Sequence, residues 1–289
     1  MNEWKKWPVK IIEKKNFPKQ LKEIKNVPEK LYYRGEWNNQ IFEKSLAVVG
    51  SRRMSRYGKE VINQFMPELV AKNITIISGF MYGVDTESHL ACLEFGGKTV
   101  AVLGGGLNVL TPVENDNLYT EILKKAGLVI SEYKPNFQPT LWSFPQRNRI
   151  VAGLSSLGIL VVEAGIKSGS LITARIGREQ GKKVYVIPGQ INNSIAEGSN
   201  YLIKNNLGQI TTSVIDITES KVINLQKNLF ESLDPLENEI IKMLKIEPLS
   251  LDQLSKKINK SVIETGIKVG MMSLQNIVTE ENGKIYLKN

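Results

Sequence analysis

One cysteine and one histidine serve the whole 289-residue chain. Cys92 alone can form neither an internal disulfide nor a cysteine-based zinc cluster, and His89 alone leaves no histidine pair for a metal. Both fall in one run with helical spacing, where a buried thiol and a core or capping imidazole are the ordinary occupants. Aromatic residues are sparse, at 7%. No stretch approaches the roughly 18 apolar residues of a membrane span. The amino terminus, Met-Asn-Glu-Trp-Lys-Lys-Trp-Pro, is charged where a secretory leader would be apolar. A cytoplasmic protein without membrane contact is expected. The common nucleotide fingerprints are missing too. Neither Gly50-Ser-Arg-Arg53 nor Gly104-Gly-Gly106 has Gly-x-Gly-x-x-Gly spacing, and no Gly-Lys-Ser/Thr follows either. With no evident nucleophile–base pair, no catalytic residue, metal or cofactor is assigned.

What the chain does have is positive charge and a regular apolar rhythm. At 42% hydrophobic it can bury a large domain and a small one, and its net charge of +9 points to a polyanionic partner. The charge is uneven. Residues 1–40 hold ten Lys and Arg against five Asp and Glu, residues 41–228 hold 20 against 15, and residues 229–289 hold eight against nine. Anion binding is therefore expected of the first two-thirds and not of the tail.

Residues 1–40 are interrupted by Pro8, Pro18 and Pro28 and read as an extension pinned to the core by Trp4, Trp7, Phe17, Leu21 and Leu31. The rhythm starts next. Short Val- and Ile-rich strands are predicted at Leu46–Gly50, Ile74–Ile77, Thr99–Leu103, Leu128–Ile130, Gly158–Val162 and Lys183–Ile187. Helices are predicted near 57–72, 86–95, 115–125, 147–153 and 170–179. Uniformly apolar strands alternating with amphipathic helices give an α/β, doubly wound, mainly parallel sheet covered on both faces. This domain is placed at 41–217, followed by a polar linker at 218–233. Residues 234–289 read as three helices and a hairpin around Asn282-Gly283, the order of a small winged-helix domain. Its near-neutral charge favours protein contact over DNA contact.

The strand-end turns carry the candidate site. Gly50, Ser51 and Arg52 follow the first strand of the rhythm, Ser78 and Gly79 the second. Lys167, Ser168, Gly169 and Ser170 stand at a helix start after the fifth, where free N–H groups favour anions. Ordinary serine capping is the competing reading of the last turn. Arg147, Asn148 and Arg149 open a further helix, just before or within its first turn. Two guanidiniums there suit a phosphate or a planar base, or alternatively carboxylates of the same domain. Glu163 and Glu132 end strands on the same edge. Trp142 and Phe144 read as core residues, with base stacking as the alternative.

These blocks resemble the DNA-processing protein A (DprA, also called Smf) family. The resemblance runs through Val49-Gly-Ser-Arg52, Ser78-Gly79 with Gly83-Val-Asp85, Val102-Leu-Gly-Gly-Gly106, Phe144-Pro-Gln-Arg-Asn-Arg149 and Ser168-Gly-Ser-Leu-Ile-Thr-Ala174, over roughly residues 30–210. It implies an extended Rossmann-like domain that binds single-stranded DNA without a nucleotide cofactor. It also implies a homodimer, protection of incoming strands in natural transformation, and loading of the RecA recombinase. Arg52, Arg147, Arg149 and Lys167 would then meet phosphates, with a log–log salt slope of about −2 to −3. The rival is a nucleotide-processing enzyme of the same sheet class, a nucleoside monophosphate hydrolase using Glu163 near an arginine. A winged-helix transcription factor is disfavoured by the near-neutral tail.

Overall fold

The computed structural model describes residues 2–218, 235–274 and 277–287. The chain divides into two compact units, Met1–Ser220 and Lys221–Asn289. Nearly all of the expected linker, 218–233, lies outside the described residues.

Seven strands of the first unit run parallel: β3 (Ser45–Val49), β4 (Thr75–Ser78), β5 (Thr99–Val102), β6 (Leu128–Ser131), β7 (Gly158–Val161), β8 (Val184–Val186) and β9 (Gln209–Ile210). Every residue of β3 to β8 is buried, which is why these strands read as continuous apolar runs and not as alternation. Two further strands, β1 (Lys10–Glu13) and β2 (Lys30–Gly35), join antiparallel beside β6. The order across the sheet is β1-β2-β6-β5-β4-β3-β7-β8-β9. The first 40 residues thus do more than pack on the core, because they supply two strands of the sheet itself. Trp4 stacks on Tyr119 at 4.6 Å, and its indole N–H donates to Asp116 at 2.7 Å.

Helices cross between the strands. After the single turn α1 (Lys19–Lys22) come α2 (Arg56–Ala71), α3 (Val84–Glu94), α4 (Asp116–Lys124), α5 (Ser143–Leu154), α6 (Gly169–Glu179), α7 (Glu197–Lys204) and α8 (Ile215–Thr218). One apolar layer sets Phe17, Leu21 and Phe42 with Ile150, Val151 and Ala174 against one face of the sheet. On the other face, Val61, Phe65 and Leu69 of α2 pack on Leu46 and Val48.

The chain builds β3 to β6 outward in one direction, then returns along α5 and lays β7 on the opposite side of β3. Between β3 and β7 the winding reverses. At such a reversal the turns leaving the carboxyl ends of the two strands diverge and leave a crevice.

In the second unit, α9 (Pro235–Leu244), α10 (Leu251–Lys257) and α11 (Val262–Leu274) precede a hairpin of β10 (Val278–Glu281) and β11 (Lys284–Leu287). Ser250 starts α10 with a reciprocal cap. Its hydroxyl accepts from the Gln253 N–H at 3.3 Å, and the Gln253 side chain accepts from the Ser250 N–H at 3.0 Å. Asn282 and Gly283 both take positive φ, 52° and 71°, as a two-residue hairpin turn demands. Ile240, Leu244, Leu254, Val269, Met272, Val278 and Ile285 form this unit's own core.

Candidate nucleic-acid interface

A cavity of about 680 Å³ opens at the β3/β7 reversal. Ten of the twelve expected site residues line it: Gly50, Ser51 and Arg52 after β3, Gly79 after β4, Arg147 and Asn148 on α5, and Lys167 to Ser170 at the start of α6. Three separate strand-end turns and helix α5 converge because parallel strands deliver all their carboxyl ends to the same side.

Each wall has a local cause. Gly83 holds the turn after β4 against the turn after β3. It has φ of 72°, and a Cβ there would collide with the Ser51 carbonyl, which accepts from the Val84 N–H at 3.1 Å. Arg52 is exposed, its guanidinium 5.5 Å from the centre of the Phe144 ring. On the opposite wall Ser168 caps α6, its hydroxyl accepting from the Ser170 N–H at 3.3 Å and meeting the Ser170 hydroxyl at 2.7 Å. Capping and cavity lining coexist there. The first-turn N–H groups of a helix lack partners within the helix, and exposed Lys167 stands beside them.

Arg147 forms the floor and is only 4% exposed. Its guanidinium donates to the carbonyls of Gly79 and Val102, locking it to the ends of two strands. Burial pulls its pKa down to about 10, opposed by the Asp85 carboxylate, so it stays cationic at neutral pH. Asp85 was not among the expected site residues, yet it lines the same cavity. Burial pushes its carboxyl up, while Arg147 and the Met81 N–H, donating at 3.2 Å, hold it down. Its place one residue after Val84, at the first turn of α3, was the available signal. Ser194 and Ile195 also line the cavity, from the loop after β8. They follow a predicted strand, and the strand-end rule applied to that loop would have found them.

Two expected residues stand elsewhere. Ser78 is fully buried and donates to the Val48 carbonyl at 2.6 Å, tying β4 to β3. Arg149, 8% exposed, pairs with Glu132 at 2.5 Å and donates to the Asn26 carbonyl at 2.9 Å and the Gln146 carbonyl at 3.1 Å. Its geometry is that of a guanidinium tied to a carboxylate of its own domain. The helix start also needs correction. α5 begins at Ser143, so Arg147 and Arg149 lie beyond its first turn, and the helix N-terminus does not contribute to their setting. Pro145 disguised this start, since a proline within the first turn gives up no intrahelical hydrogen bond.

Glu163 is buried after β7 and accepts from the backbone N–H of Ser55 at 2.8 Å and its hydroxyl at 2.5 Å. The carboxylate is engaged in holding the start of α2. Among the described residues no group of three or more His, Cys, Asp or Glu side chains is arranged to hold a metal ion, and no helix is long and apolar enough to cross a membrane.

The sequence from residue 9 to residue 221 matches the family model for DNA recombination-mediator protein A. The chain belongs to that family. The match starts some twenty residues before the span of the resemblance, roughly 30–210, and takes in β1 and β2. The chain is 40% identical over 224 residues to Protein Smf of Escherichia coli strain K12, covering 77% of this chain and 58% of the relative. It is 40% identical over 210 residues to the DNA processing protein DprA of Streptococcus pneumoniae, covering 73% of each. The X-ray structure of the pneumococcal protein matches with a TM-score of 0.67 at 38% identity, over 75% of each chain. The DNA processing protein A of Helicobacter pylori, known for its single-stranded DNA binding mode, matches with a TM-score of 0.64 at 29% identity, over 78% of this chain and 97% of that one. The fold of the first unit is the Rossmann-like fold of these structures.

Proposed function

We propose that the cavity at the β3/β7 reversal binds single-stranded DNA and that the protein acts as a recombination mediator. It protects incoming strands in natural transformation and loads the RecA recombinase onto them, working as a homodimer. The observation that carries the reading is the convergence of Arg52, Arg147, Lys167 and the N-terminus of α6 on one crevice, in a chain of the recombination-mediator family. Phosphates take the charge-assisted contacts of Arg52 and Lys167 and the N–H of Gly169, since the Ser168 N–H donates to the Gly165 carbonyl and the Ser170 N–H to the Ser168 hydroxyl. Arg147, fixed from below, supplies a standing positive potential. A single strand suits this shape because its bases are free to enter a crevice that a duplex cannot offer them to. The H. pylori relative's single-stranded DNA binding supports the same assignment. Arg149 is left out of the contact set, so three cationic side chains remain and the expected log–log salt slope is about −2. The engagement of Glu163 with Ser55 weighs against a hydrolase that would need that carboxylate free. The second unit, as a winged helix of near-neutral charge, serves protein contact.

Fluorescence anisotropy of a labelled oligonucleotide, single- against double-stranded, tests the reading. A clear single-strand preference that weakens with salt is expected. Equal affinity for both forms, or none for either, would overturn it.

A further inference from the structure

The loop between β6 and α5 exposes its most apolar side chains next to the cavity. Leu141 is 93% and Trp142 59% exposed. Nothing in folding rewards a bare indole at this position. The indole is nevertheless held in place. Tyr133 and Phe137 stack with ring centres 4.5 Å apart, and Trp142 stands beside the pair at 5.9 and 6.0 Å, at 76° and 62° to the two rings. Being nearly equidistant from both, it can have at most one face covered by them.

The loop itself is bedded on the triple glycine. A Cβ on Gly106 would run into the carbonyls of Lys134 and Pro135, one on Gly105 would come within 3.0 Å of Pro139, and one on Gly104 within 2.6 Å of the Phe144 ring. The Gly106 N–H donates to the Phe137 carbonyl at 2.9 Å, and the Ser131 hydroxyl to the Gly105 carbonyl at 2.6 Å. Gly104-Gly-Gly106 is therefore no phosphate loop. It is a flat seat that lets an aromatic loop lie against the strand ends. Two residues past Trp142, Phe144 lines the cavity beneath Arg52.

We propose that Trp142, backed by Tyr133 and Phe137, is a stacking platform for an unpaired nucleobase just outside the cavity. A strand whose phosphates sit at Arg52 and Lys167 lays a neighbouring base on the indole. An aromatic face accepts any base, so this platform adds affinity without sequence preference. The inference rests on the single-strand reading of the cavity.

The test compares Trp142→Ala, Trp142→Phe and Arg52→Ala on a labelled oligothymidylate and on an abasic strand of equal length. Trp142→Ala is expected to weaken oligothymidylate binding roughly five- to a hundredfold. It should leave abasic binding unchanged, and Trp142→Phe should retain most of the affinity. Wild-type oligothymidylate affinity in Trp142→Ala, with Arg52→Ala impaired, would overturn the platform and leave the cavity reading standing. A change of oligomeric mass in Trp142→Ala without a base-dependent loss would overturn it in favour of a protein contact. Failure of the wild type to bind either strand would instead remove the reading on which the inference rests.

Discussion

Arg52 lies over the Phe144 ring, its guanidinium 5.5 Å from the ring centre, so the turn after β3 and the start of α5 meet at the mouth of the cavity. A guanidinium held on an aromatic face keeps its outward N–H groups available for phosphate and loses little further freedom on binding. Arg52→Ala is therefore expected to weaken single-strand binding about tenfold at ~0.1 M salt. The melting temperature should not change, since Arg52 is exposed. Arg52→Lys should recover only part of the affinity, because an ammonium has neither the fork nor the planar stack. Anisotropy and thermal melts of the three proteins check this.

The second arginine of the Phe-Pro-Gln-Arg-Asn-Arg block behaves differently. Arg149 is sandwiched between Glu132 and the Asn26 carbonyl, and removing it leaves the half-buried Glu132 carboxylate without its partner. Arg149→Ala should cost about 3 kcal/mol of stability. Chemical denaturation of Arg149→Ala, Glu132→Gln and the double variant measures the coupling, which should be near 1 kcal/mol or more for neighbours of this kind. A large affinity loss in Arg149→Ala with unchanged stability would return the residue to the DNA site.

These two arginines mark the limit of what the residues alone disclose. The strands β3 to β8 were legible within a residue or two, since a strand buried on both faces must be apolar throughout, and so were α2, α3, α4 and α6, while α5 starts four residues before its expected position. The turns were legible because a parallel sheet sends its strand ends to one side. β1 was not, since Lys10-Ile-Ile-Glu13 at a sheet edge carries charge at both ends and no apolar run. Nothing local tells Arg147 from Arg149, because their partners Val102, Gly79, Glu132 and Asn26 are brought in by the fold. The role of the triple glycine as a seat for the aromatic loop was not legible, because close approach of a loop and close approach of a phosphate both require the missing Cβ.

His89 gives a pH signature independent of DNA. It is fully buried, its Nδ1 2.6 Å from the Thr99 hydroxyl, and burial together with Arg147 lowers its pKa from 6.5 to about 3. The unfolded chain takes up this proton first. The contribution is thus complete above pH ~6.5 and falls as pH drops toward 3, by up to about 1.4 kcal/mol per pH unit. In urea denaturation at pH 7 and pH 5, His89→Gln should lose less stability between the two than the wild type does. Equal losses would mean that His89 is not the group titrating.

The account stands on the cavity being where phosphates are neutralised. The most direct measurement is the salt dependence of oligonucleotide affinity for the wild type and for Arg52→Ala/Lys167→Ala. Each lost phosphate contact on a single strand takes about 0.7 off the magnitude of the log–log slope, so the slope should flatten from about −2 to about −0.7, with weaker binding at every salt concentration. Identical slopes and affinities for the two proteins would place the DNA elsewhere on the molecule.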